Sequence, residues 1–112
     1  MSTIFKKIID KEIPAKIVYE DDDFIAFEDI APVAKVHVLV IPKKEIKNLD
    51  NATEDDIMLL GKLQLTIAKI ARMLGINEEG YRVVTNINAN GGQTVYHIHY
   101  HIIGGEKLGV MA

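Results

Sequence analysis

The 112-residue chain has no cysteine. That excludes disulfides and thiolate-held metals, fits a reducing compartment, and leaves histidine as the nucleophile to look for. A basic run is also missing, and the formal net charge is −3 with a pI of about 5.8. A nucleic-acid backbone is therefore not the expected partner. No apolar stretch is long enough for a signal peptide or a membrane span, so the expected location is the cytoplasm. With no repeat, linker or low-complexity tract, residues 1–112 read as one domain. What is present is ordinary globular composition, 48% hydrophobic and 26% charged.

The informative stretch is Gln93-Thr-Val-Tyr-His-Ile-His-Tyr-His-Ile-Ile-Gly-Gly105. It alternates, is rich in β-branched and aromatic residues, and ends in two glycines, which predicts a β-strand. Side chains at i, i+2 and i+4 of a strand share a face, so His97, His99 and His101 project together, about 6–7 Å apart. Tyr96, Ile98, Tyr100 and Ile102 take the opposite face and meet a core. Three of the four histidines lie in this run. Such a row suits either of two chemistries. Neutral imidazoles ligate zinc, or one ring is a nucleophile flanked by acid–base groups.

The rest of the chain supplies a scaffold. Residues 3–11 carry Ile4, Phe5, Ile8 and Ile9 at helical spacing, and the helix stops before Pro14. Residues 16–20 and 24–28 form a hairpin about an Asp21-Asp-Asp23 turn, read as solvated. Residues 35–42 are almost wholly apolar and belong mid-sheet, with His37 the only ring among them. Thr53-Glu-Asp-Asp56 resembles a capping box and opens a long helix to about Leu74, ended by Gly75. Its apolar stripe is Ile57, Leu60, Leu63, Ile67, Ile70 and Leu74; Leu59, Leu65 and Met73 broaden it beyond one packing face. Residues 81–86 are the fourth strand, joined to the histidine strand by a polar turn containing Asn90-Gly91. The fold class is α+β, with a five-stranded, mainly antiparallel sheet, one short helix and one long helix.

His97-Ile-His-Tyr-His-Ile-Ile103 fits the pattern His-φ-His-φ-His-φ-φ, with φ apolar. Together with Ile8-Ile-Asp-Lys-Glu-Ile-Pro-Ala-Lys16, Val36-His-Val-Leu-Val-Ile-Pro-Lys-Lys44 and Gly91-Gly-Gln-Thr-Val-Tyr-His97, it resembles the histidine triad (HIT) superfamily, in its nucleotide-binding phosphoramidase branch. The resemblance implies a two-fold homodimer joined through the long helix and the fourth strand. It implies hydrolysis of a purine nucleoside 5′-phosphoramidate through a covalent nucleotidyl-histidine. His99 is then the nucleophile, His97 and His101 flank it with His101 protonating the leaving amine, and His37 supports the cluster. Asp29, beside Ile30, meets the ribose. Ile4, Phe5, Ile13 and Phe27 line the base pocket. Asn86, Gly92, Gln93 and Thr94 sit on the phosphate side. No cofactor and no metal are expected. The chain departs from the family at Glu45, where histidine is usual, and its tail lacks the Trp-Pro ending of animal members.

The triad alone leaves alternatives open. They are a dinucleoside polyphosphate hydrolase or nucleotidyl transferase of the same superfamily, a metal-binding module on His97, His99 and His101, and a regulatory nucleotide-binding dimer.

Overall fold

The computed structural model describes residues 3–111. Helix α1 (Ile4–Ile9) starts at Thr3, whose hydroxyl accepts the Lys6 N–H at 3.1 Å. Strands β1 (Ile17–Glu20) and β2 (Phe24–Glu28) form the expected hairpin. Asp21 builds its turn by accepting the Asp23 and Phe24 N–H groups, each at 2.8 Å. Then follow β3 (Val36–Pro42), helix α2 (Ile57–Met73), β4 (Arg82–Val84) and β5 (Tyr100–Gly104). The sheet order is β1-β2-β3-β5-β4, with antiparallel pairing at every step.

Each central strand feeds two cores, one on either face. Phe24, Ala26, Val38, Val40, Tyr100 and Ile102 point to α2 and pack with Leu63, Ile67, Ile70 and Ala71. Ile25, Phe27, Leu39 and Ile41 point the other way, to Phe5 and Ile8 of α1. Burial on both faces is why β2 and β3 read as nearly unbroken apolar runs. The period of two still sorts each residue to its side.

Helix α2 is opened by a tight turn in which the Thr53 N–H donates to the Asp56 carboxylate at 2.9 Å. It closes on Gly75 (φ 73°), with Ile76 N–H on Ala71 O and Gly75 N–H on Arg72 O, both at 3.1 Å. That is a Schellman ending. The expected apolar stripe needs one correction at its start. Ile57 is 64% exposed, because contact with the core begins only at Leu59 and Leu60 and is complete from Leu63.

The histidine strand is shorter than the alternation suggests. β5 starts at Tyr100, so His97 and His99 precede it. A strand needs a neighbour to pair with. The last β3 partner is Val40, opposite Tyr100, and the last β4 partner is Val84, opposite His101. The chain ahead of Tyr100 is held by single bonds instead: Ile98 N–H to Ile46 O at 2.6 Å and the Thr85 hydroxyl to His99 O at 2.8 Å.

Candidate active site

On the α1 side of the sheet, a cleft of about 560 Å³ opens beside the histidines. Its walls include Ile4, Phe5, Ile13, Phe27, Leu39 and Val95, with Asp29, Ile30, Thr94, His99 and His101 at the polar end. The structure therefore brings together nine expected site residues, from both ends of the chain. Leu39 is an unexpected wall residue, although alternation with His37 on β3 already put it on this face.

Hydrogen-bond partners fix the ring tautomers. His99 Nδ1 lies 2.8 Å from His97 O, and a carbonyl only accepts. Nδ1 therefore carries the proton and Nε2 is left bare, with its lone pair available. The Val33 N–H donates to His37 Nδ1 at 3.2 Å, so the His37 proton sits on Nε2, 2.9 Å from His101 Nδ1. His101 accepts there, and its own proton is on Nε2. Asp29 Oδ2 stands 3.5 Å from the same His37 nitrogen. One ring thus presents a bare nitrogen lone pair. The neighbouring ring, its centroid 5.2 Å away, holds a proton.

His97 has a different place. It is 1% exposed, does not line the cleft, and donates from Nε2 to Pro42 O at 2.7 Å. Its carbonyl, rather than its ring, touches His99. His97 Nδ1 is the one buried side-chain polar atom without a partner among the described residues.

The expected phosphate side is divided. Thr94 lines the cleft. Asn86 turns its amide to Gly91 O at 2.7 Å, and the Gly92 N–H donates within the turn to Ala89 O at 3.0 Å. Gln93 is 7% exposed and spends its amide on Lys47 O, Val95 O, Asn48 and the Asn88 N–H. It braces the loop from inside. Nothing in the sequence marked Asn48, which is 1% exposed and joins this network. Gly91 has no alternative: a Cβ there would stand 2.4 Å from Ile87 O.

Comparison with known proteins agrees with this geometry. The pattern of the HIT domain matches residues 10–108. This chain belongs to the HIT family. A HIT-like protein of Synechococcus elongatus, described as uncharacterized, is 58% identical over 106 residues, spanning 95% of this chain and 92% of its own. The purine nucleoside phosphoramidase of Escherichia coli is 49% identical over 109 residues, spanning 97% and 92%. A histidine triad protein from Clostridium difficile superposes with a TM-score of 0.94 at 42% identity, covering 100% of this chain and 97% of that one. A HIT family hydrolase from Legionella pneumophila gives 0.92 at 45% identity, covering 95% of each.

In this HIT domain burial pushes His97, His99 and His101 below the ordinary imidazole range, His101 to about 4. Desolvation is the largest cause for each; His99 and His37 add to it at His101. Neutral rings at pH 7 follow. So does a pH dependence of folding. Between about 4 and 6.5 the unfolded chain binds the proton that folded His101 refuses, so stability rises with pH across that window. The contribution is complete above about 6.5 and is lost as pH falls toward about 4. Unfolding free energies from urea titrations at pH 7 and pH 5 should differ by about 1–2 kcal/mol from His101 alone, pH 7 having the higher midpoint. Equal midpoints would contradict neutral burial of the ring.

Glu45, the departure from the family pattern, lies apart from the cleft. It lines a small cavity of about 260 Å³ with Thr3, Ile46, Lys47, Tyr96 and His97.

Proposed function

We propose that the protein hydrolyses purine nucleoside 5′-phosphoramidates to a nucleoside monophosphate and an amine. The observation that carries this is the paired tautomers: a bare His99 Nε2 at the polar end of an apolar cleft, beside a His101 that holds a proton. The charge of the bound phosphate favours a second proton on His101. The nitrogen lone pair of His99 attacks phosphorus, the P–N bond breaks, and the amine leaves with one of these protons, which returns His101 to the neutral ring. Water then attacks the nucleotidyl-histidine. Its proton returns to His101 and the monophosphate departs. His37 holds His101 in the donating tautomer, and Asp29 Oδ2 faces the same His37 nitrogen at 3.5 Å. The apolar walls from Ile4 to Phe27 suit a planar base, and the Asp29 carboxylate, with acceptor capacity beyond the Ala31 N–H on Oδ1, suits a ribose hydroxyl. The E. coli relative's name supports the same substrate class.

Steady-state turnover of a fluorogenic adenosine phosphoramidate, against a dinucleoside polyphosphate as competing substrate, tests this reading. Faster cleavage of the polyphosphate would replace it with the other hydrolase of the superfamily. The cytoplasm is the proposed setting, consistent with the absence of cysteine and of any described helix long and apolar enough to cross a membrane.

We also propose a two-fold dimer. Met58 and Leu65 of α2 are 84% and 75% exposed, and Ile57 and Met73 are exposed beside them. Strand β4 is an outer strand whose Val83 is 40% exposed. A copy of the same chain offers both features in return, as an isologous contact requires. Sedimentation equilibrium should give twice the chain mass at micromolar concentration, and the chain mass for Leu65→Lys. A wild-type monomer would refute the assembly.

A further inference from the structure

Asp29, His37 and His101 come from three places, the end of β2, the start of β3 and the middle of β5, and converge on one point. One ligand-capable atom from each lies within 4.8 Å of the other two. We propose that these three residues form a zinc site whose occupancy closes the catalytic face.

Two of the three ligand separations approach those of a small tetrahedral ion, and the third, Asp29 to His101, is within 4.8 Å. Zinc bonds of about 2.0–2.1 Å set neighbouring ligand atoms about 3.3–3.4 Å apart. His37 Nε2 stands 2.9 Å from His101 Nδ1 and 3.5 Å from Asp29 Oδ2, on either side of that value. The carboxylate is already aimed, because its other oxygen, Oδ1, accepts the Ala31 N–H at 2.8 Å. Two imidazoles and a carboxylate suit zinc, and three protein ligands leave a fourth position open. A row of rings along one strand lacks this convergence. His97 and His99 are outside the set, with Nε2 of one and Nδ1 of the other committed to carbonyls.

Binding moves a proton without losing one. His37 Nε2 now carries hydrogen, and zinc takes its place. The proton passes to Nδ1, which gives up the Val33 N–H. Val33 is 71% exposed and Ile30 fully so, so their side chains do not pin this turn to the core. An ion here would hold the carboxylate and the acid histidine together. Its consequence is inhibition, and that half rests on the phosphoramidase reading.

Titration calorimetry with zinc chloride on metal-stripped protein at pH 7.5 is the test. The expected isotherm has one site per chain. Binding should weaken at least tenfold in Asp29→Asn and in His37→Gln, each checked for folding by circular dichroism, and hold in His97→Gln. Absence of saturable binding, or equal binding in the two ligand variants, overturns the site. Should the variants misfold, histidine-ring NMR of wild type decides instead. Zinc must shift His37 and His101 but not His97, and the Val33 amide must move with them; shifts at His97 overturn the site. Turnover should fall with the midpoint of the isotherm. Full occupancy with undiminished turnover overturns the inhibitory half. A chain with no turnover at all fails the phosphoramidase reading, and the isotherm still judges the site.

Discussion

His99→Ala should lower turnover by more than about 10⁴-fold while nucleoside monophosphate affinity changes only a few-fold. Nδ1–H of this ring is engaged by His97 O, which leaves Nε2 as the lone pair at the cleft. Removing it eliminates the covalent route rather than slowing it. Binding should survive, because the apolar walls, Asp29 and Thr94 remain. The two flanking rings separate cleanly in this geometry. His101→Ala should cost about 10²–10⁴-fold, the usual range for lost acid–base help. His97→Ala keeps the carbonyl that holds His99 and should act mostly on stability. Single-turnover kinetics on all three variants, with acid quench and mass spectrometry for a nucleotidyl adduct, make the comparison. An adduct on another histidine, or substantial turnover in His99→Ala, would move the nucleophile elsewhere.

Gln93→Ala should destabilise the fold by about 3–5 kcal/mol, read as a drop in the urea midpoint. The side chain donates to Lys47 O at 2.7 Å and Val95 O at 3.0 Å, and accepts from Asn48 at 3.0 Å and the Asn88 N–H at 2.9 Å. Alanine leaves these groups short of a partner where the site is closed to water, and each costs about 1–3 kcal/mol when unsatisfied. Gln93→Glu is the informative companion. It is near in shape but loses the two N–H donors facing carbonyls, so it should fail nearly as badly. A loss under about 1 kcal/mol in both would mean that water replaces the amide freely, and that Gln93 is available to a substrate after all.

Much of this was legible in the sequence because the relevant signals are periodic. Helical spacing located α1 and α2, an almost wholly apolar composition put residues 35–42 mid-sheet, and the helix ends at Thr53 and Gly75 are local chemistry. What alternation cannot carry is the presence of a neighbour. Residues 96–102 alternate without a break, yet only Tyr100 onward has strands to pair with, so the triad is not a flat row. For the same reason His97 is turned into the interior while His99 and His101 meet the cleft. Gln93 was legible as a polar residue beside glycines. Its direction depends on Asn48, Lys47 and Asn88, which approach from distant chain or from across the turn. Ile57 failed as a core residue because a helical stripe records periodicity but not where the sheet beneath it ends.

The way the chain ahead of β5 is fastened also bears on its motion. Ile98 N–H to Ile46 O and His97 to Pro42 O tie it to residues 42–46, and no ladder ties it to β3. Cooperative opening follows such bonds. His99 and the 42–46 segment therefore belong to one opening unit, while His101, paired to both β3 and β4, belongs to the centre of the sheet. The two rings of the proposed acid–nucleophile pair then breathe on different clocks: His101 is the fixed reference, and His99 is the member that can move against it.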